Sequence, residues 1–173
     1  VGVKPYEAIT PNNDGFNDLY IGGAKGSPGT MYLYNNSKFI KYDVPLLVQD
    51  KESEDTDCLF FDANSDGFLD LYVTSGGNEF SMYSTELRDR LYFNNKNSFY
   101  KSDQILPAGL FESSSVVKNF DIDDDGDQDL FVGTRLIPQK YGLPSNGYLL
   151  ENDGEGNFIN LTDSIAPDLN KIG

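Results

Sequence analysis

Histidine is absent from this 173-residue sequence, which removes the commonest general acid/base and the commonest ligand of transition metals together. Zinc and copper sites and Ser-His-Asp chemistry are therefore not expected. Cysteine occurs once, so no disulfide can form within the chain, and Cys58 in the apolar run Cys58-Leu59-Phe60-Phe61 reads as a small buried residue. Bases are scarce: 13 Lys and Arg stand against 28 Asp and Glu, a formal charge of −15. That balance argues against nucleic acid or an anionic membrane surface as a partner unless bound cations reverse the local field. No stretch approaches the roughly 18 apolar residues a spanning helix needs, and no charged-then-apolar leader is visible. A sustained 3.6-residue apolar period is also missing, which excludes a substantial helix.

What remains is 38% hydrophobic and 13% aromatic, a globular composition, and it is organised as a repeat. Thr10-Pro-Asn-Asn-Asp-Gly-Phe-Asn-Asp18-Leu-Tyr20, Asp62-Ala-Asn-Ser-Asp-Gly-Phe-Leu-Asp70-Leu-Tyr72 and Asp121-Ile-Asp-Asp-Asp-Gly-Asp-Gln-Asp129-Leu-Phe131 align without a gap, their starts 52 and 59 residues apart. A second block follows each: Met31-Tyr-Leu-Tyr-Asn-Asn36, Arg90-Leu-Tyr-Phe-Asn-Asn95 and Gly147-Tyr-Leu-Leu-Glu-Asn152, with Phe39, Phe99 or Phe158 close behind. Short runs of Tyr, Phe, Leu, Val and Ile punctuated by Gly, Asn and Asp read as strands. The order in each repeat is strand, acidic loop, strand, variable loop, strand, turn, strand.

Four-stranded antiparallel units at a period of about 55 residues are the material of β-propeller blades. The expected fold is all-β: about three four-stranded sheets, with repeats at 1–55, 56–114 and 115–173, forming part of a larger propeller. Opening at Val1 and ending about where a fourth repeat would begin its first strand, the chain reads as an excised part of such a ring, or as one that closes it by self-association through open blade edges.

Calcium takes six to eight oxygen ligands, and alternate positions of a tight loop can aim side-chain oxygens at one centre. Positions one, three, five and nine supply them: Thr10, Asn12, Asp14 and Asp18 in the first loop, Asp62, Asn64, Asp66 and Asp70 in the second, Asp121, Asp123, Asp125 and Asp129 in the third. Position seven adds the carbonyl of Phe16, Phe68 or Asp127. Glycine at position six (Gly15, Gly67, Gly126) suits a sharp reversal. Carboxylate number ranks the third loop above the second and the second above the first, which has only Asp14 and Asp18. An EF-hand would need a Glu at position twelve and flanking helices. Position twelve holds Ile21, Val73 and Val132, so each loop must feed a strand. Asp/Asn/Gly-rich hairpins also form without metal, but three such loops in register favour calcium, Ca2+, as a cofactor that orders each loop and its blade. The regular spacing fits a metal better than the paired carboxylates of a glycosidase, so no enzyme activity is expected.

These motifs resemble the FG-GAP/VCBS repeats, calcium-binding propeller blades also found in integrin α-subunits. The order Ser75-Gly-Gly-Asn-Glu-Phe80, Asp89-Arg-Leu-Tyr-Phe-Asn94 and Tyr148-Leu-Leu-Glu-Asn152 is similar in particular to bacterial secreted proteins that carry a C-terminal ASPIC/UnbV domain, relatives of cartilage acidic protein. The resemblance implies a seven-bladed propeller in full form, calcium in the blade loops, and a secreted, periplasmic or cell-surface setting. Thr10 departs from the acidic residue usual at its position. Two irregular segments, 76–88 and 135–146, depart from the repeat, and Tyr83, Arg88, Arg90, Arg135 and Tyr141 are candidates either for a contact surface or for packing of the loops. The functional expectation is a calcium-stabilised extracellular adhesion or protein-interaction module. The alternative is a carbohydrate-binding module with exposed aromatic rings against the sugar. A protein or glycan ligand is expected, nucleic acid is not.

Overall fold

Eleven strands form the framework of the described residues. The computed structural model describes residues 12, 14–96, 98–106 and 112–172, and arranges their strands in three antiparallel sheets. The first contains β1 (Leu19–Ile21), β2 (Thr30–Asn35) and β3 (Lys38–Tyr42). The second contains β4 (Glu54–Phe61), β5 (Asp70–Gly76), β6 (Arg90–Asn94) and β7 (Phe99–Lys101), and the third β8 (Ser113–Phe120), β9 (Asp129–Leu136), β10 (Gly147–Asn152) and β11 (Phe158–Asn160). Each is a meander in which consecutive strands pair. The first sheet has three strands among the described residues rather than four, and by register these match the last three of the others. Among the described residues helix is confined to α1 (Pro45–Gln49), α2 (Thr162–Ile165) and short 3₁₀ turns at Thr85–Leu87 and Pro167–Leu169. Residues 162–169, near where a further strand was expected, are thus helical turns. Among the described residues no helix is long and apolar enough to cross a membrane.

Strand β4 shows why the second sheet is apolar on both faces. Side chains alternate along a strand, so Leu59 and Phe61 point one way, with Tyr72, Leu91 and Phe93, into a cluster completed by Val117, Leu130, Val132, Leu150 and Phe158 of the third sheet. Cys58 points the other way, with Leu71, Val73 and Tyr92, and meets Tyr20 and Met31 of the first sheet and Val44 and Leu47 of the linker and α1. A sheet sandwiched between two neighbours needs apolar residues at consecutive positions, which explains the unbroken run 58–61. At about 1.5–3 kcal/mol for each large side chain withdrawn from water, these two clusters dominate the stability. On the outer face of the third sheet, Lys118 and Phe120 stand where Leu59 and Phe61 stand in the second, and both are exposed.

Polar ties join the same surfaces. Thr56 Oγ1 donates to Ser114 O (2.8 Å) and Val117 N donates to Asp57 Oδ2 (3.2 Å), stitching β4 to β8. Buried Asp89 accepts from Ser75 N, Tyr72 Oη and Ser114 Oγ, and its burial raises its pKa to about 7. Arg90, 5% exposed, pairs with Asp55 at 2.5 Å. The contact role considered for Arg90 is therefore ruled out: its guanidinium lies inside, where a carboxylate must accompany it.

Candidate metal centre

The second and third acidic loops are hairpin connections of identical length. Phe61 pairs with Asp70 across residues 62–69, and Phe120 with Asp129 across 121–128. Both adopt the left-handed region at position four, Ser65 (φ 58°) and Asp124 (φ 63°), and again at position six, Gly67 (φ 86°) and Gly126 (φ 96°); Gly15 of the first loop has φ 82°. A Cβ on any of the three glycines would meet nothing within 4 Å. Glycine is there for its backbone freedom, not for space.

Alternate side chains turn inward because each carboxylate or amide captures a backbone N–H two to five residues on. In the second loop Asp62 accepts from Asp66 N (3.1 Å) and Gly67 N (2.9 Å), Asn64 from Asp66 N (3.2 Å), and Asp66 from Phe68 N (2.8 Å). In the third, Asp121 accepts from Gly126 N (3.0 Å), Asp123 from Asp125 N (3.3 Å), and Asp125 from Asp127 N (3.0 Å). The first repeats the pattern with Asn12 and Asp14, and the Asn12 amide also donates to Asp14 Oδ2 at 2.8 Å. Thr10, its expected first ligand, lies outside the described residues. Phe16 is exposed, its ring tilted against Tyr34 at 5.9 Å.

Position nine does something the spacing alone did not reveal. Asp70, wholly buried, accepts from Ala63 N (2.9 Å) at one oxygen and from Asn94 N (2.7 Å) at the other. Asp129 does the same with Ile122 N (2.6 Å) and Asn152 N (2.8 Å). Each such Asp ties its loop to the third strand of its sheet. In the first loop Asp18 Oδ1 accepts from Tyr34 N (2.7 Å), while its buried Oδ2 has no partner among the described residues. The residue seven before it, whose N–H binds the second oxygen in the other loops, is Pro11, which has no N–H. Burial lifts the pKa of Asp18 to about 6 and of Asp70 to about 7, against the opposing pull of those backbone donors.

The ties also correct an alignment. Tyr34, Asn94 and Asn152 are equivalent, and Met31 faces Tyr20 as Leu91 faces Tyr72 and Leu149 faces Phe131. Matching the blocks from Met31, Arg90 and Gly147 is one residue out in the first and the third. Runs that are apolar on both faces contain no alternation to mark register, so a slip of one is invisible in sequence.

Among the described residues, three carboxylates converge only in the third loop, where oxygens of Asp121, Asp123 and Asp129 lie within 4.8 Å of one another. Asp127, counted from sequence for its carbonyl, is not one of the three that converge. Burial and then its neighbours Asp125 and Asp129 lift its pKa to about 6. Asp121 Oδ1 and Asp127 Oδ1 are buried and have no hydrogen-bond partner among the described residues. Unsatisfied buried carboxylate oxygens amid like charge are costly unless a cation compensates them. The donor set is all oxygen, which fits calcium and not a softer metal.

Sheets of this kind, with acidic hairpin loops of one backbone form, are the blades of a propeller-type repeat protein. Residues 62–132 match the family of FG-GAP-like repeats, a span that opens on the first ligand position of the second loop and closes in β9, just beyond the third. A search of curated proteins found no match.

Proposed function

We propose that this chain is a non-enzymatic, extracellular protein-interaction module whose blades are ordered by calcium in the second and third loops. The observation that carries the reading is the third loop: the converging carboxylates of Asp121, Asp123 and Asp129, with two buried oxygens there, on Asp121 and Asp127, that have no hydrogen-bond partner among the described residues. Asp121, Asp123, Asp125 and Asp129 would hold the ion there, and Asp62, Asn64, Asp66 and Asp70 in the second loop. The bound ion would neutralise clustered charge and lock the hairpin. Residues 62–132 support the extracellular setting through their FG-GAP-like match.

Recognition then falls to the irregular loops β5–β6 and β9–β10. Gln139 N donates to Asn78 Oδ1 at 2.9 Å, tying the two together. Tyr83 and Tyr141 are largely solvent-exposed on them, and Arg88 and Arg135 are exposed nearby in sequence, the residue types that dominate hot spots. Adhesion is the use these features favour. The exposure of the two tyrosine rings also supports the carbohydrate reading.

Calorimetric titration tests the proposal: two calcium ions should bind the intact chain, and Asp121→Asn/Asp123→Asn should remove one of them. Failure of the intact chain to take up calcium, or a stoichiometry untouched by the double substitution, would overturn it.

A further inference from the structure

Asn152 touches both metal loops at once. It is 3% exposed, and its backbone N–H donates to Asp129 Oδ1, at position nine of the third loop. Its side-chain Nδ2 donates to Gln128 O (3.2 Å), position eight of that loop, and across the sheet interface to Ala63 O (2.8 Å), position two of the second. Its Oδ1 accepts from Gly156 N (3.1 Å) in the β10–β11 turn. Both ends of the amide are used, so its orientation is determined by three separate backbone segments.

Ala63 sits between Asp62 and Asn64, and its own N–H is held by Asp70. A chain of contacts therefore leads from Asp70 to the N–H of Ala63, and from the carbonyl of the same residue through Asn152 to Gln128 and Asp129. These bonds tie the hairpin carrying Asn152 to both loops. Gln104, just beyond β7, brackets Phe158 with both amide atoms, donating to its carbonyl (2.8 Å) and accepting from its N–H (3.0 Å). Gly156, at φ 82°, lies so close to Phe93 that a Cβ would approach the ring to 2.5 Å.

We infer that Asn152 couples the two loops, so that filling either one strengthens binding at the other; this rests on the calcium reading of both loops. Loop ordering supplies the coupling. Closing the second loop round an ion fixes the 62–64 backbone, which through Ala63 O fixes the Asn152 amide, which holds the Gln128–Asp129 end of the third. The second ion meets a loop part of whose ordering cost has already been met. By linkage the effect must be reciprocal. Asn152 is thus a positioning residue for two sites, although it ligates neither.

The experiment is a cycle of calcium titrations on the whole chain. The affinity of the third loop is measured with the second intact and with it disabled by Asp62→Asn/Asp66→Asn, in the parent and in Asn152→Ala. Disabling the second loop should weaken the third about fivefold or more in the parent, and leave it unchanged in Asn152→Ala. Independent sites in the parent, or a loss of equal size in Asn152→Ala, would overturn the coupling while leaving the calcium reading intact. A parent that takes up no calcium would overturn both. A measurement without substitution of Asn152 guards against misfolding: in Asp123→Asn/Asp125→Asn, calcium at the second loop alone should slow amide exchange at residues 153–158 on the neighbouring sheet. Unchanged exchange there would also sink the inference.

Discussion

Replacing Arg90 by methionine is expected to destabilise the fold by about 3–5 kcal/mol, because it strands a buried carboxylate. Asp55 and Arg90 are almost wholly inside, and the guanidinium is the only cationic partner within salt-bridge distance that Asp55 has among the described residues. Asp55 Oδ2 also accepts from Tyr20 Oη (2.8 Å) and Gly23 N (2.7 Å) of the first sheet and its following loop. Arg90 Nε meanwhile donates to Ser75 Oγ (3.2 Å). The pair therefore joins two blades. Gly29 makes the contact possible, since a Cβ there would come within 2.1 Å of Tyr20 Oη. With typical domain stability of only about 5–15 kcal/mol, the loss should appear as a large fall in the urea midpoint. Asp55→Asn/Arg90→Met, which strands no charge and keeps an acceptor for Tyr20 and Gly23, should recover most of it. A loss below about 1 kcal/mol in the single variant would show that the pair is not what joins the blades.

Removing calcium should have an effect of similar size, with a pH dependence of definite sign. An ion present at a hundred times its Kd stabilises by about 2.7 kcal/mol per site, so stripping two sites should lower the melting temperature by roughly 10–20 °C. In chelator, Asp70 keeps its proton up to about pH 7 and Asp127 and Asp18 up to about 6, whereas the unfolded chain releases these protons near pH 4. The folded state then binds more protons than the unfolded one between about pH 4 and 7, so the metal-free fold loses stability as pH rises through that window. Asp89, raised to about 7, contributes the same trend with or without metal. Binding calcium requires the loop carboxylates ionised, so the increment from calcium should be small at pH 5 and full at pH 7.5. Melting curves with calcium and with chelator at the two values test this. Equal midpoints at pH 7.5, or an increment independent of pH, would contradict it.

Much of the architecture is legible in the residues because it is local. The run Cys58-Leu59-Phe60-Phe61 announces a strand buried on both sides, and Val73 and Val132 at position twelve announce strands where an EF-hand would have a ligand and a helix. The inward alternation of Asp62, Asn64 and Asp66, or of Asp121, Asp123 and Asp125, follows from turns that span two to five residues. The glycine at position six follows from a single φ angle. Arg90 misleads on the same scale: beside a variable loop it reads as a surface hot spot, and nothing near it in sequence names Asp55, 35 residues away, as its partner.

The acidic loops and their strands were thus determined by the sequence itself, since a φ preference, an Asx turn and a two-residue alternation act between near neighbours. Tertiary structure alone decided that position nine binds a strand, that Arg90 is internal, and that Asn152 bridges two of the acidic loops. Each of these depends on a partner brought close only by sheet pairing and blade packing, in the case of Asn152 and Ala63 from 89 residues away. Buried charges and amides take their roles from whichever groups share their low-dielectric surroundings, and that company is settled by the fold.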